Sequence, residues 1–330
     1  MNSFLRRNLG ILVVLLAARG VLASVPAQAA EGHFERTLKV AGPVDLDVRT
    51  GSGSIDIRTG DASTVRVVGT IRANGGWFDG SEDAEKKVRY LEANPPIEQH
   101  GDIIKIGQIE DRWLEHNISI SYEIVTPAAT RLRTGTGSGG QTIQGIQGPL
   151  DASTGSGNLS ISNIGDTAKA STGSGHIDMD GVKGSVRAST GSGTIRALGV
   201  AGGLHASTGS GNVTFEQTSP GDVEVSTGSG TIDLKGVHGG VRAQTASGNI
   251  SVDGEGEGLW KLGTASGGVT VRLPAQQGFD LHAHSVSGSI YTKREMTVQG
   301  TLSKHELEGK VGGGGFLLEV SSVSGPIRIE

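Results

Sequence analysis

The stretch Ala188-Ser189-Thr190-Gly191-Ser192-Gly193-Thr194-Ile195 decides the fold, because variants of it return along most of the chain. Each variant contains a Ser-Gly pair, and the glycines of successive pairs lie 18 to 21 residues apart. These glycines are Gly157, Gly175, Gly193, Gly211, Gly230, Gly248, Gly267 and Gly288. A nearly constant period of this length is typical of a solenoid, in which each repeat forms one coil that stacks on the coil before it.

Apolar residues at every second position around the repeat glycine predict β-strands. In most copies the residues five and seven positions before the glycine are apolar, as in Val186 and Ala188. The residues two and four positions after it are apolar again, as in Ile177 and Met179. Alternate side chains of a strand lie on opposite faces, so these residues are expected to fill the interior of the coils.

A threonine or serine stands three positions before every one of these glycines, and its spacing locates a bend. Five residues separate Thr190 from Ile195, an odd number, so both side chains point inward only if the chain turns between them. Each coil is therefore expected to have at least two strands joined by a bend at Ser-Gly. A second bend is expected at stretches such as Gly181–Gly184 and Gly236–Gly239. The repeat glycine is expected to have a positive φ angle.

Three further copies lie outside the central block, around Gly53, Gly139 and Gly325. They raise the expected number of coils to eleven, with a gap of 86 residues between Gly53 and Gly139. In the copy at Gly139, Gln141 stands where an aliphatic residue is expected. Coils stacked at the spacing of neighbouring strands would form a rod of roughly 50 Å, and each coil would depend on its neighbours for stability.

The expected fold is all-β, a single-chain parallel β-solenoid (β-helix) of about 18 residues per coil with a small N-terminal α+β insertion. Residues 30–61 are expected to form the first strands and the first coil. Residues 62–130 form the insertion, with strands and one helix at residues 81–93. Residues 131–330 form the solenoid, with a glycine-rich loop at 291–316. The insertion is expected to cap the rod, because a bare solenoid end would expose unpaired strand edges.

The N-terminal residues 1–29 have the pattern of a secretory signal peptide. Arg6 and Arg7 precede an apolar stretch from Leu9 to Ala18, and Ala27-Gln28-Ala29 is a small-residue cleavage site. Cleavage would change the net charge from −5 to −8, because it removes three arginines and no acidic residue. The expected location is therefore exported, in the periplasm or on the surface of a bacterium.

The composition excludes several classes of site. The chain has no cysteine, which excludes a disulfide framework, a lipid-modified cysteine and a thiolate metal site. After the signal pattern, no segment is long and apolar enough to predict a membrane-spanning helix. Aromatic residues make up only 4% of the chain, too little bulk for a thick globular core but sufficient for a thin stacked one.

The chain resembles the bacterial "putative adhesin" family, an exported domain of unknown function. Three features carry the resemblance: the Ser-Gly-x-Ile phrases, the strand Tyr122–Pro127 before the repeats, and the run Gly312–Gly315 before Val323-Ser324-Gly325-Pro326-Ile327. The resemblance covers nearly all of residues 34–330. It implies a parallel β-helix and an exported location, and it implies no catalytic residues.

One outward column, six positions before the repeat glycine, is mainly basic. It contains Arg133, Asp151, Lys169, Arg187, His205, Glu224, Arg242, Lys261 and His282. Stacking would bring these side chains about 5 Å apart. We expect the cations of this ladder to bind an anionic envelope glycan, phosphorylated or uronic, or an envelope protein. These ligand-binding residues are Arg133, Lys169, Arg187, Arg242 and Lys261. The alternative is a solvated strand face whose charges keep the protein soluble.

Other motifs predict no cofactor, metal or nucleic-acid partner. Gly135–Gly140 matches the glycine pattern of dinucleotide sites, but no helix follows it. His282 and His284 share a strand face, but a metal ion needs more ligands than these two. The repeated threonines resemble those of ice-binding solenoids, but they are expected to point inward.

The expected function is a non-enzymatic exported scaffold or adhesion and binding module of the envelope. The alternative is a carbohydrate-active parallel β-helix enzyme, a lyase or hydrolase, which needs clustered carboxylates. Asp178 and Asp233 share an outward column but lie three coils apart, roughly 14 Å, too far for a paired acid and base. No catalytic residue is therefore predicted, and the oligomeric state stays open.

Overall fold

A computed structural model describes residues 29–74, 81–109, 111–115, 117–298, 303 and 305–330. The predicted signal peptide at residues 1–29 lies outside this part of the chain, except for Ala29. The predicted turn at Asn74-Gly75-Gly76 also falls mostly outside it.

The described residues are mostly β-structure. The two helices are α1 (Ser81–Ala93) and α2 (Arg112–Glu115). The strands are β1 (Ala30–Lys39), β2 (Val44–Ser52), β3 (Ile55–Thr59), β4 (Thr64–Ala73), β5 (Ile97–His100), β6 (Ile103–Ile106), β7 (Ile118–Thr126), β8 (Thr130–Ser138), β9 (Gln141–Gln144), β10 (Leu150–Ser156), β11 (Leu159–Ile164), β12 (Ala168–Ser174), β13 (Ile177–Val182), β14 (Val186–Ser192), β15 (Ile195–Val200), β16 (Leu204–Ser210), β17 (Val213–Gln217), β18 (Val223–Ser229), β19 (Ile232–Ser247), β20 (Ile250–Ser266), β21 (Val269–Arg272), β22 (Phe279–Ser285), β23 (Ile290–Thr292), β24 (Met296–Val298), β25 (Glu306–Val311), β26 (Phe316–Ser322) and β27 (Ile327–Ile329). Helix α1 has the bounds that the sequence predicts, whereas α2 was not predicted.

Most strands lie in two rows of parallel neighbours, one on each side of the Ser-Gly bend. The A row runs through β2, β8, β10, β12, β14, β16, β18, the second halves of β19 and β20, β26 and β22. The B row runs through β3, β9, β11, β13, β15, β17, the first halves of β19 and β20, β21, β27 and β23. Each row contains eleven strands, so the described chain has the eleven coils that the sequence predicts.

The rows belong to one large, mostly parallel sheet that curls into a nearly closed solenoid. Equivalent residues of neighbouring coils pair with each other, as Ala168 pairs with Leu150 and Val186 pairs with Ala168. The expected second bend is present in several coils, but in β19 and β20 the strand continues through it with a local irregularity. Apolar residues from both rows fill the interior, and Ile177, Ile195 and Ile232 are completely buried.

Buried threonines link each coil to the one before it. Thr190, three positions before the repeat glycine, donates a hydrogen bond of 3.1 Å from Oγ1 to the carbonyl oxygen of Gly175. The same bond recurs in the other threonine coils, with distances of 3.0–3.2 Å. The hydroxyl groups thus satisfy carbonyl groups at the bend that no strand partner reaches, and the predicted inward direction of the threonines is confirmed.

The repeat glycine is required by the close contact between coils. Gly193 has a φ angle of 151°, a region that side chains disfavour. A Cβ atom on it would overlap the carbonyl oxygen of Gly175 in the neighbouring coil. The predicted positive φ is therefore confirmed at this position, and most of the equivalent glycines have φ angles between 144° and 153°.

Gln141 replaces an aliphatic residue without leaving its amide group unsatisfied. Its side chain is buried, its Oε1 accepts a hydrogen bond from the Thr134 hydroxyl, and its Nε2 donates to the Ser153 carbonyl oxygen at 2.6 Å. Thr134 stands where the other coils have alanine, valine or leucine. The two polar residues therefore form a compensating pair in the interior.

The insertion between the first two coils extends both rows past the first coil. Strand β6 pairs with β2 on the outer side of the A row, and β7 pairs with β3 on the outer side of the B row. Strands β4 and β1 continue from β7 as antiparallel neighbours. Helix α1 contacts β1 and β4, and its buried stripe contains Ala84, Val88 and Leu91. The first coil is thus covered by other strands rather than open to solvent.

The last coils do not stack in chain order. Strands β26 and β27 pair with β20 and β21 on one side and with β22 and β23 on the other. The final repeat of the sequence therefore lies between the coil of β20 and β21 and the coil of β22 and β23, instead of forming the end of the rod. Strand β25 then covers β22 as an antiparallel neighbour, and β24 pairs with β25.

Candidate functional site

The outward face of the A row has one charged side chain per coil at equivalent positions. In spatial order this charge column contains Asp47, Arg133, Asp151, Lys169, Arg187, His205, Glu224, Arg242, Lys261, Glu319 and His282. Each residue is flanked in its strand by buried residues, as Lys169 is by Ala168 and Ala170, so its own side chain points to solvent.

The structure places all five predicted ligand-binding residues in this column, although acidic residues separate them. The cations Lys169, Arg187, Arg242 and Lys261 lie on β12, β14, β19 and β20, and Arg133 lies on β8. Asp151 stands between Arg133 and Lys169, and Glu224 stands on the strand before that of Arg242. The charge column is therefore of mixed sign, with adjacent cations at Lys169 and Arg187 and again at Arg242 and Lys261.

Several charges in the column are neutralised by ion pairs. Lys169 lies 3.1 Å from Asp151, and Lys261 lies 2.8 Å from Glu319. His205 lies 3.2 Å from Glu224, and Arg133 lies 3.5 Å from Asp45. All these groups are substantially exposed, so the pairs are expected to stabilise the fold only weakly. Their main effect is to reduce the local positive charge that a ligand would meet.

Two guanidinium groups in the column are not engaged by any ion pair within the described part of the chain. Arg187 and Arg242 have no ion pair or hydrogen bond to any residue that the structure describes. They are separated by three strand spacings, because β16 and β18 lie between their strands. At about 4.8 Å per spacing, this is roughly 14 Å between equivalent backbone positions.

The pKa of one carboxyl group reflects its cationic neighbours. The hydrogen bond from Lys261 holds the pKa of Glu319 below its usual value, and the positive charges of Lys261, His282 and Arg242 act in the same direction. Glu319 is therefore ionised at neutral pH. It compensates the positive charge of Lys261 at this end of the column.

A groove of about 1170 Å³ lies beside the middle of the charge column. One wall consists of the column residues from Lys169 to Lys261. The other contains residues of the turns that precede the later A-row strands, namely Pro220, Gly221, Asp222, His238, Gly239, Gly240, Glu257, Gly258 and Leu259. The groove spans the starts of successive A-row strands, so it runs along the solenoid axis rather than along one strand.

Sequence reasoning missed two kinds of residue in this site. Glu319 stands six positions before Gly325, so the repeat places it in the column although it was not included in the expected one, and chain order does not show that β26 lies next to β20. The second wall was missed because its residues lie in turns rather than in the repeated phrase. The extra residues between Gly211 and Gly230 and between Gly248 and Gly267 were the available signal for that wall.

The opposite polar column, one position after the repeat glycine, has a structural role. The Oδ1 atom of Asn158 accepts a hydrogen bond of 2.9 Å from the backbone N–H of His176, and His176 Nδ1 accepts one of 3.1 Å from that of Thr194. Asn212 and Asn249 make the same contact with Thr231 and Gly268. These side chains satisfy backbone donors of the next coil at the bend.

The acidic and histidine side chains that the sequence analysis considered as metal ligands or catalytic groups lie apart from one another or in pairs in the described residues. The described residues contain no group of three or more metal-ligating side chains. Asp178 and Asp233 lie on β13 and β19, with β15 and β17 between them. His284 and His282 share a face of β22, where His282 is 4.0 Å from Glu308. No helix in the described part of the chain has the length and hydropathy needed to cross a bilayer.

Comparison with known families gives one match. The model of the toastrack DUF4097 family matches residues 149–330, which is more than half of the chain. This range starts just before β10 and includes the groove, Arg187, Arg242 and the inserted last coil. No curated protein matches the chain in a sequence comparison.

Three solved structures resemble the chain over most of its length. A putative cell adhesion protein from Clostridium sporogenes is 14% identical, covers 92% of this chain and 99% of its own, and has a TM-score of 0.20. A putative lipid binding protein from Parabacteroides distasonis is 12% identical with coverages of 91% and 97% and a TM-score of 0.42. A putative adhesin from Bacteroides fragilis is 10% identical with coverages of 90% and 97% and a TM-score of 0.27. These TM-scores are too low for the likeness to bear on function.

Proposed function

The chain belongs to the toastrack DUF4097 family, and from this we propose that it is an exported, non-enzymatic scaffold or adhesion module of the bacterial envelope. In this proposal the eleven coils form a parallel β-solenoid of about 18 residues per coil that presents a binding face. The signal-peptide pattern of residues 1–29 supports export to the periplasm or the cell surface.

The observation that carries the proposal is the groove beside the charge column. It is long, open and lined by four cations on one wall, features that suit an extended anionic ligand better than a small molecule. The mature chain is acidic overall, but the groove brings together four cations, which outnumber the three carboxylates of Asp222, Glu224 and Glu257 in the same lining. The ligand in this proposal is an anionic envelope glycan, and an envelope protein with an acidic surface would meet the same charges.

The central experiment is retention of envelope components by the mature protein. Envelope extracts are passed over the immobilised protein at low and at high salt. A polyanion held by the groove is expected to be retained at low salt and released at high salt, because exposed charges are screened. A variant with Lys169→Glu, Arg187→Glu, Arg242→Glu and Lys261→Glu is expected to retain nothing.

A matched control reverses four cations that lie outside the groove. Lys183→Glu, Arg196→Glu, Lys235→Glu and Arg328→Glu change the net charge by the same amount, and none of these residues lines the groove. Retention should survive in this control. Equal loss in the two variants would show that net charge, rather than the groove, causes retention, and the proposal would be wrong.

Export is tested separately by fractionation. The full chain should appear in the periplasmic or surface fraction, shortened at the cleavage site after Ala29. A variant with Leu12→Asp and Val14→Asp in the apolar stretch should remain in the cytoplasm at full length. Full-length protein in the cytoplasm for both chains would contradict the proposed location.

A further inference from the structure

We propose that the groove binds a linear polyanion along the solenoid axis and that Arg187 and Arg242 are its two anchor points. This inference rests on the proposed function and adds the residues that bind, the direction of the ligand and the chemistry of its charged groups.

Two of the four groove cations have carboxylate partners among the residues that the structure describes, and the other two do not. Lys169 and Lys261 already have carboxylate partners at 3.1 Å and 2.8 Å, so a ligand anion would compete with Asp151 and Glu319 for them. Arg187 and Arg242 have no such partner among the described residues, and both line the groove. A ligand anion can therefore bind these two guanidinium groups without breaking an existing ion pair.

The spacing of Arg187 and Arg242 along the groove favours a long ligand over a small one. They are three strand spacings apart, roughly 14 Å, and the pair of His205 and Glu224 occupies the coils between them. A small anion reaches only one anchor. A chain lying along the groove reaches both, and its second contact is formed at a high effective concentration.

The guanidinium groups and the other residues that line the groove indicate the chemistry of the ligand. A guanidinium group is planar and donates paired hydrogen bonds, which match the two oxygens of a carboxylate or a phosphate. The second wall contains four glycines, at 221, 239, 240 and 258, and Gly203 also lines the groove, so a chain can approach the backbone closely. No phenylalanine, tyrosine or tryptophan of the described chain lines the groove, so stacking against neutral sugar rings is not provided. The ligand class is thus a linear polymer with oxyanion groups.

Glu224 adds a limit on charge density. Its carboxylate lies in the column between the anchors, so a polymer with an anion at every strand spacing would bring one of them close to it. A polymer whose charges are spaced more widely avoids this repulsion. Glu224→Gln is therefore expected to improve the binding of a densely charged polymer more than that of a sparsely charged one.

The test uses the mature protein and two probes, oligogalacturonates for carboxylate and linear polyphosphates for phosphate. Each probe is supplied as a short form that reaches one anchor and a long form that reaches both, and affinity is measured by calorimetry. We expect the long form of the recognised probe to bind at least about tenfold more tightly than the short form. Arg187→Ala or Arg242→Ala should reduce the affinity for the long form to that for the short form. The probe that binds identifies the source of the oxyanion.

Two control variants separate the anchors from general electrostatics. The first removes both paired lysines with their partners, by Asp151→Asn, Lys169→Gln, Lys261→Gln and Glu319→Gln, and leaves the net charge unchanged. The second is Lys183→Ala with Arg196→Ala, which lowers the net charge outside the groove as much as the double arginine variant, Arg187→Ala with Arg242→Ala, lowers it inside. The second should bind the long form within about threefold of the unmodified protein, and the first should lose clearly less affinity than the double arginine variant does.

The outcomes are distinguishable. If the unmodified protein binds neither polymer, the proposed function and this inference are both overturned. If it binds a polymer without dependence on length, or if the paired-lysine variant loses as much affinity as the double arginine variant, this inference alone is overturned. Circular dichroism of each variant checks that the exposed substitutions leave the fold intact.

Discussion

The coils between Thr130 and Arg272 stack in the order of the chain, whereas the two coils after them stack in reverse order. In the middle coils a buried threonine bonds the preceding coil and glycines form the bend. In the last two coils serine replaces the threonine, and Val286 or Val323 stands where most middle coils have glycine. Both valines are largely exposed.

The last coils have other interactions that keep the reversed order. Phe316 packs between Trp260 and Phe279, with ring centroids 5.4 Å and 5.9 Å away. The guanidinium group of Arg294 donates hydrogen bonds to four carbonyl oxygens of the connection between β21 and β22, at residues 273, 274, 275 and 277. This connection runs past the inserted coil. By holding the connection in place, Arg294 stabilises the separation between the neighbouring coils that accommodates β26 and β27.

The comparison shows that a repeat phrase determines how a coil is shaped but not which coil it contacts. Phe279 pairs with Phe316 and Ser285 with Ser322, so the A-row strands of the two last coils are equivalent along β22 and β26. Both coils carry the repeat phrase, yet β20 and β21 pair with β26 and β27. Side chains outside the phrase, such as Trp260 and Arg294, distinguish between the two coils.

The largest expected effect is the loss of an interior residue in a middle coil. Ile195 is completely buried, and Ile195→Asp would place a carboxylate in an interior without a partner. We expect the free energy of unfolding to fall by about 4 kcal/mol or more, as measured by urea denaturation. Asp178→Ala, on the outward face of the neighbouring coil, is the control and should change stability little. Similar losses for both would mean that the interior is wrongly assigned.

The next effect tests the bend of the middle coils. In Gly193→Ala the new Cβ would overlap the Gly175 carbonyl oxygen at an unfavourable φ angle, so we expect a loss of about 3 kcal/mol in urea unfolding. Gly51→Ala is the control, because Ala246 and Ala265 occupy the equivalent position in later coils and a Cβ on Gly51 would meet no atom within 4 Å. A control as unstable as Gly193→Ala would contradict the assignment of the bend to the repeat glycine alone.

A smaller effect compares the hydroxyl groups of the two regions. Thr190 makes one hydrogen bond, whereas Ser322 donates to the Gly267 carbonyl oxygen at 3.1 Å and accepts from the Gly325 N–H at 2.9 Å. We expect losses of about 1 kcal/mol for Thr190→Val and about 2 kcal/mol for Ser322→Ala, measured by thermal unfolding. The reverse ranking would show that the inserted coil depends less on its serine than the middle coils depend on their threonines.

The smallest effect is the pH dependence at the inserted coil. Because Lys261 lowers the pKa of Glu319 in the folded state, this pair stabilises the fold above the ordinary pKa of a glutamate and is lost as the pH falls through the lowered value. The pair is exposed, so we expect less than about 1 kcal/mol. The difference in melting temperature between the unmodified protein and Glu319→Gln should therefore shrink as the solution is acidified from neutral pH. A difference that grows instead would contradict this sign.

The candidate site could be predicted only in part. The spacing of the repeat was enough to align Lys169, Arg187, Arg242 and Lys261 in one outward column. It could not show which of them are neutralised, because the partner of Lys261 comes from Glu319, 58 residues further along the chain. The groove was likewise not predictable, since its second wall depends on where the turns before the later A-row strands lie.

The amino-acid sequence alone determined the period, the interior positions, the bend and the number of coils, because each follows from local alternation and from glycine and threonine at fixed offsets. Only the tertiary structure decided the order of the last coils and the pairing of charges across them. The physical reason is that backbone hydrogen bonds between strands stabilise the stacking of any coil with the right pattern to a similar extent. The choice between equivalent coils depends on contacts between residues far apart in the chain.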